Sequence, residues 1–499
     1  MTSLNSRFSR SVYPAGAALA MLGLAGCRVG PDYQQRQAKA PDAYSSLTDP
    51  DASLGVKPVA GAADPAALAA WWGVFGDTTL DSLVSRAVEG NLDLRLARAR
   101  VREARALRGV ADSTVLPTVD ASGGVTRSQR SGTVRNSFGS DDATTLWDVG
   151  LDASWEIDVF GGKRRGIEAA QGDLEAAVED QRAVLVTLAA EVARNYNELR
   201  GFQRRIVVTE QTIRAAQETL ELTESRSRAG LSAEIETEQS RAQLATRQSQ
   251  LPSLRSAAHA AAFRLSVLLG QSPGALLAEL DQAGTIPKPP AEIPVGLPSE
   301  LLTRRPDVRR AERQLAAATA RIGVEESELY PKFTLTGALG LQSGELASLP
   351  DTSSRAWSIG PTVRWRLFDR RAIHQRIAAA DARAEQALIA YDQTMLTSLE
   401  EVENALTGLV EEQARWKRLD EAVTASRRAV NLANERYRSG IGDFLTVLVN
   451  QRELYDREDQ LVQSEASVTR NVIALYKALG GGWAQADPAV SQPTEPLPK

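Results

Sequence analysis

Few residues in this chain have a type and spacing that could do chemistry. Among the 499 residues there is a single cysteine, Cys27, so no disulfide can form within the chain. Arg7 and Arg10 precede a short apolar run, Ala15 to Leu24, which leads into Leu24-Ala25-Gly26-Cys27. A basic segment, an apolar stretch too short to span a bilayer as a stable helix, and small residues before a cysteine make a signal peptide that ends in a lipobox-like motif. The chemistry expected at Cys27 is acylation, with the cysteine becoming the lipidated first residue of the mature chain. Residues 1–26 are set aside as that signal peptide, and 27–79 as an N-terminal lipidated segment. His259 and His374 are the only histidines; they are far apart in helical sequence and lack the clustering a metal site needs, so no metal is expected. Glu400-Glu401 and Glu411-Glu412 fall in heptad-patterned helix, where a solvated face is the ordinary role. The sequence has no phosphate-binding loop, dinucleotide fingerprint or nucleophile elbow. An enzyme is therefore not expected, nor any cofactor beyond the covalent lipid. A net charge of −5 argues against a nucleic-acid partner.

The remaining charged groups with a regular spacing lie in alternating segments. From Trp147 to Val159 the odd positions read Trp147, Val149, Leu151, Ala153, Trp155, Ile157, Val159; the even ones include Asp148, Asp152, Glu156 and Asp158. Trp357 to Leu367 repeats the pattern, with Arg364 and Arg366 on the polar side and Pro361 suggesting a local break or bulge. Such alternation also suits a half-buried soluble strand. Two features favour a membrane barrel. Trp147 and Trp155, and likewise Trp357 and Trp365, stand eight residues apart, roughly 26 Å of strand, which matches the spacing of the two aromatic girdles of an outer membrane barrel. The four strands expected, about 115–126, 144–159, 332–343 and 355–368, cannot close a barrel alone, and an open edge in lipid is forbidden. Three copies supply twelve strands. Asp148, Asp152, Glu156, Asp158, Arg364 and Arg366 are then expected to face the lumen, and the loops at about Arg127 to Ala143 and Ser343 to Arg355 to be extracellular.

Those strands are embedded in a duplication offset by roughly 210 positions. Arg228-Ala229-Gly230-Leu231 recurs as Arg438-Ser439-Gly440-Ile441, and Leu265 to Gly270 as Leu475 to Gly480. Repeat 1 covers 80–286 and repeat 2 covers 299–480, joined by a Pro-rich linker at 287–298 and followed by a tail at 481–499. Each repeat reads as a helix (about Leu80 to Ser113, about Pro298 to Leu329), two strands, and a long helical hairpin (about 163–270, about 370–480). The hairpins carry strict heptads: Val178, Leu185, Val192 and Leu199 continue to Leu220, and Leu388 continues through Val402, Leu409, Trp416 and Val423 to Tyr437. A period of seven held this long marks coiled-coil packing. An outgoing helix of roughly 65 residues is about 100 Å long, which suits a structure that bridges a wide aqueous gap. The fold class is thus mainly α with a β-barrel, built from duplicated half-repeats. A periplasmic coiled-coil lipoprotein that scaffolds without a pore is the alternative.

Several stretches resemble the TolC-like outer membrane factors, in the lipoprotein branch often called NodT. They are Cys27-Arg28-Val29-Gly30-Pro31-Asp32-Tyr33, Trp71-Trp72-Gly73-Val74-Phe75-Gly76-Asp77, Arg304-Arg305-Pro306-Asp307-Val308, and Tyr330-Pro331. The resemblance covers nearly the whole mature chain. It implies a homotrimer with a twelve-stranded barrel in the outer membrane and a periplasmic tube of helices. This would be the passive duct of a tripartite efflux or type I secretion system, joined through a periplasmic adaptor to an inner membrane pump of RND or ABC type. Arg28 rather than Asp after the cysteine implies transfer to the outer membrane lipid. By the same resemblance the helix-turn tips, Gly230, Leu231, Ser232 and Gly440, Ile441, Gly442, meet the adaptor. The entrance constriction falls on Leu445 and Val449, and Arg436 and Asp443 are candidate latches. Relatives usually carry an acidic residue where this chain has Val449, so a hydrophobic constriction is implied instead.

Overall fold

The computed structural model describes residues 28–35, 40–46, 55–59, 61, 64–129 and 143–483. Cys27, the signal peptide, most of the Arg127 to Ala143 loop and the tail after Trp483 lie outside the described residues. The chain divides into two compact units. One comprises Met1–Gln35, Arg102–Ala176 and Glu312–Ala390; the other comprises Arg36–Val101, Ala177–Ala311 and Tyr391–Lys499.

In chain order the elements are β1 (Lys57–Val59), α1 (Pro65–Ala69), a 3-10 turn (Trp71–Phe75), α2 (Thr78–Gly90), α3 (Leu92–Ser113), β2 (Thr118–Ser128), β3 (Thr144–Ile157), α4 (Gly162–Arg228), α5 (Glu234–Leu268) and α6 (Leu277–Leu280). The second half follows with β4 (Glu292–Pro294), α7 (Pro298–Arg304), α8 (Pro306–Ser327), β5 (Lys332–Ser343), β6 (Arg355–Arg364), α9 (Arg370–Arg438) and α10 (Phe444–Ala478). The duplication is visible at each level. Gly230 and Gly440 reverse the chain at the two hairpin tips with φ of 70° and 75°, a left-handed backbone that glycine adopts without steric cost.

The single helix expected before each pair of strands is two helices. Asn91 adopts an extended backbone between α2 and α3. Its side chain accepts from Leu94 N at 2.9 Å and donates to Leu268 O at 2.8 Å, so it caps one helix and closes the end of another. Arg305 stands at the equivalent break between α7 and α8, extended (φ −64°, ψ 124°) ahead of Pro306, which disfavours helical backbone in the residue before it.

In the second unit the heptad positions Leu185, Val192, Leu199, Val402, Leu409, Val468 and Leu475 are buried in one core with Trp71, Leu80 and Leu265. Trp416 departs from the pattern: it is exposed and lines a cavity of about 470 Å³ with Val56, Pro287 and Pro289. β1 and β4 pair in parallel, a three-residue contact that no pattern in the sequence announces.

Two of the quoted motifs have direct packing roles in this core. Trp71 is fully buried and stacks on Tyr476, ring centroids 5.3 Å apart. Asp77 caps α2 through Thr79 N and Leu80 N, and its other oxygen accepts from the Tyr196 hydroxyl at 2.8 Å. Arg305 is buried. Its guanidinium donates to Ala478 O at the end of α10 (2.8 Å) and forms ion pairs with Asp307 (2.6 Å) and Glu401 (2.7 Å). Burial would raise the Asp307 carboxyl, but the paired bonds from Arg305 outweigh it and hold Asp307 below the usual carboxylate range. A depressed folded value means that this pair stabilises fully above the unfolded carboxylate value, about 3.9, and is lost as pH falls through the folded one. Asp307 and Glu401 are partly exposed, so Arg305→Ala should cost about 2–3 kcal/mol. Thermal unfolding of the detergent-solubilised protein should read that loss at pH 7, and the gap between variant and wild type should shrink at low pH.

Candidate functional site

The strands β2, β3, β5 and β6 form one antiparallel sheet in that order. Its registers settle which side chains share a face, because side chains alternate between faces and cross-strand partners point the same way. Ala121 lies opposite Leu151, Leu151 opposite Leu339, and Leu339 opposite Trp357. Trp147, Val149, Trp155, Phe333, Ile359 and Val363 follow in phase. One face is therefore apolar across all four strands. The other carries Asp120 opposite Asp152, Gly124 opposite Asp148, Glu156 opposite Thr334 and Lys332 opposite Arg364. Ser122 Oγ donates to Asp152 Oδ2 at 3.0 Å on this polar side.

The apolar face is exposed to solvent in the chain by itself: Val149, Leu151, Leu339, Trp357, Ile359 and Val363 are all exposed. Among the described residues no helix is long and apolar enough to cross a membrane. β2 and β6 are the sheet's edges, each with one side unpaired among the described residues.

The structure corrects the strand limits. β3 ends at Ile157, and Asp158 is not a strand residue. Its carboxylate accepts from Lys163 N and Arg164 N at 3.1 and 2.9 Å and caps the start of α4. β6 ends at Arg364, so Trp365 and Arg366 lie past the strand; Arg366 pairs with Glu328 at 3.3 Å. Pro361 causes no break: the β5–β6 register runs from Lys332 opposite Arg364 to Leu341 opposite Arg355 without a bulge. Proline lacks only its own N–H, so at most one ladder bond is lost and the register continues on both sides of it. Trp155 Nε1 donates to Val115 O (2.9 Å) and Trp365 Nε1 to Leu329 O (3.0 Å), so the two repeats anchor equivalent indoles to the chain just after α3 and α8. The Ser343 to Arg355 loop is built from two short 3-10 turns, tied by Ser354 Oγ donating to Ser348 O at 2.7 Å.

The segment after Cys27 is fastened to the same unit. Arg165, its side chain 1% exposed, donates to Val29 O and Gly30 O and pairs with Asp32 (2.7 Å) and Glu168 (2.9 Å). Gly30 has φ of 87°, and a Cβ there would sit 2.4 Å from the backbone of Gly323. The Val29-Gly30-Pro31-Asp32 motif is thus a clasp that needs a glycine, and Arg165, which the sequence does not single out, is its centre.

At the tips, Leu231 and Ile441 are exposed, as are Leu445 (59%) and Val449 (47%) at the start of α10. Asp443 caps α10, accepting from Thr446 N at 2.6 Å; that bond and the nearby Arg436 charge hold its carboxyl below the usual range. Arg436 O accepts from Ile441 N and Gly442 N and so closes the turn. Near the tips the Tyr437 hydroxyl donates to Glu236 Oε2 at 2.7 Å and links the two hairpins, and further along them Arg205 pairs with Asp459 and Arg247 with Asp456. Arg226 lies over the Tyr437 ring at 4.7 Å, and Phe444 packs against the same ring with centroids 5.5 Å apart. Burial, then Glu236, pushes the Tyr437 hydroxyl up to about 12, so it stays a donor at any physiological pH.

An antiparallel sheet with one apolar face and edges unpaired among the described residues, in a chain that carries one long helical hairpin in each of two repeats, defines the outer membrane channel class. The chain belongs to the outer membrane efflux protein family, whose model matches residues 83–271 and 297–481, one stretch in each repeat. It is 35% identical over 458 residues to a pyoverdine export outer membrane protein of Pseudomonas putida, covering 89% of this chain and 96% of that one. It is 30% identical over 475 residues to the cation efflux system protein CusC of Escherichia coli, covering 93% and 97%. The solved outer-membrane channel OprN superposes with a TM-score of 0.85 at 36% identity, covering 92% of this chain and all of that one. This protein is accordingly an outer membrane efflux channel.

Proposed function

We propose that the protein works as a homotrimer, a passive duct lipidated at Cys27 in the outer membrane, which a periplasmic adaptor joins to an inner membrane pump. The carrying observation is the sheet: apolar on one face, polar on the other, with both edges open among the described residues of a chain with four long strands. In lipid each unpaired backbone group costs several kcal/mol, so β6 of one chain must meet β2 of the next until the ring closes. Three copies give twelve strands with the polar face, Asp148, Asp152, Glu156 and Arg364, around the lumen. Arg366 and Asp158 stand at the helix-proximal mouth. Trp147, Trp155, Trp357 and Trp365 supply the girdles. The tips at Gly230, Leu231, Ser232, Gly440, Ile441 and Gly442 offer exposed apolar side chains to the adaptor.

The test is purification from outer membranes, followed by gel analysis without heating and by conductance in planar bilayers. A heat-dissociable trimer that conducts is expected; a monomer that stays soluble without detergent would reject the duct in favour of a scaffold. Replacing Cys27 by Ala should abolish metabolic labelling with palmitate. Exposed Leu445 and Val449 support a hydrophobic constriction, which gates by excluding water. Val449→Gly should raise conductance and the influx of a large antibiotic severalfold, and unchanged values would remove Val449 from the gate.

A further inference from the structure

We infer that the helix-proximal end of the sheet's polar face is an anion-binding collar, centred on Arg364 and Lys332. This rests on the duct reading, which puts that face around the lumen. Lys332 and Arg364 are direct cross-strand partners. Like charges placed opposite each other destabilise a sheet; Glu328 offsets this at Lys332, and at Arg364 a ligand of opposite charge would. Both line a cleft of about 670 Å³ together with Lys163, Arg366, Glu156 and Glu328.

Four cations there face two carboxylates. Glu328 is shared between Lys332 and Arg366. Glu156 lies 3.7 Å from Lys163 Nζ, which also donates to Thr114 O at 2.5 Å. Among the described residues Arg364 has no carboxylate within ion-pair distance, and it is exposed to the cleft. The hydroxyls of Thr334, Thr336 and Thr362 complete a polar lining.

The rest of the face has the opposite sign, through Asp120, Asp148 and Asp152, so the positive surplus is local to this end. A guanidinium fork beside an ammonium suits oxyanions in which two or more negative oxygens lie close together. In a trimer the arrangement occurs three times around the axis. The ligand class is therefore a small multivalent anion, a polyphosphate or polycarboxylate, held briefly as it passes.

The experiment uses purified full-length trimers in planar bilayers, with inorganic tripolyphosphate as the probe. Tripolyphosphate should block the potassium chloride current of the wild type. Arg364→Gln should raise the half-blocking concentration about tenfold, since one cation a few ångströms from an anion in a partly screened site is worth that much. Arg364→Lys should keep most of the block and so controls for assembly. Arg355→Gln, at the far end of β6 and on the other face, should leave it unchanged. A conducting trimer that tripolyphosphate does not block, or block of Arg364→Gln at the wild-type concentration, overturns the collar and leaves the duct standing. Absence of any conductance removes the duct and the collar with it.

Discussion

Leu151→Arg should abolish accumulation of trimers in the outer membrane, while Asp152→Ala should leave it near wild type. The two residues are neighbours in one strand and differ in the face they occupy. Leu151 lies midway between Trp147 and Trp155, with Ala121 and Leu339 as its cross-strand partners. If the indoles mark the membrane borders, Leu151 sits at the midplane, where an arginine facing lipid costs about 2–4 kcal/mol. Symmetry repeats that cost in every chain of the assembly, which takes it to a large share of the roughly 5–15 kcal/mol by which folded proteins are typically stable. Asp152 loses only its bond from Ser122 and faces water. Fractionation of outer membranes and the heat-dissociable band on gels would measure both. Equal tolerance at the two positions, or equal damage, would undo the assignment of faces.

How much of this can be read in the sequence depends on whether the information is local. The faces of the sheet are legible because a period of two needs only neighbouring residues, and the registers then preserve that alternation across all four strands. The tips are legible because a glycine in a repeated Arg-x-Gly-x context marks a left-handed turn twice. The helix breaks at Asn91 and Arg305 are easily passed over, since helical periodicity continues on both sides. A tertiary hydrogen bond also holds each break in place, to Leu268 O and to Ala478 O. The local signals are short: Arg305 precedes proline, and Gly90-Asn91 places a good N-cap residue ahead of α3. The alternation runs past the end of β3 and draws Asp158 into the strand; an aspartate a few residues ahead of a helix is as good a cap as a strand residue. Pro361 misleads because the loss of one N–H does not interrupt a register that is held on both sides of it. Arg165 and Glu236 carry no signal, and Tyr437 shows only a heptad position: Asp32, the partner of Arg165, and Glu236, the partner of Tyr437, lie more than a hundred positions away, and nothing local announces these bonds.

That last pair gives the second large effect. Tyr437→Phe should raise the conductance of reconstituted trimers and admit antibiotics that the outer membrane normally excludes. The substitution keeps the ring, and with it the packing on Phe444 and the Arg226 contact; it removes only the hydroxyl that donates to Glu236. A hydrogen bond to a charged acceptor contributes about 1.5–3 kcal/mol. Within one chain that is modest. In the proposed trimer the same bond is made three times, and if the hairpins part together the losses act together, shifting the closed-to-open ratio by about three orders of magnitude or more. Glu236→Gln should fall between, because the amide oxygen still accepts but the charge assistance is gone. The Asp443 cap does a different job, so Asp443→Asn, which still accepts from Thr446 N, should leave conductance near wild type. A Tyr437→Phe channel as closed as the wild type would show that the Tyr437–Glu236 bond does not hold the hairpins in their closed arrangement, and would shift attention to the Arg205–Asp459 and Arg247–Asp456 pairs and to the apolar residues at Leu445 and Val449.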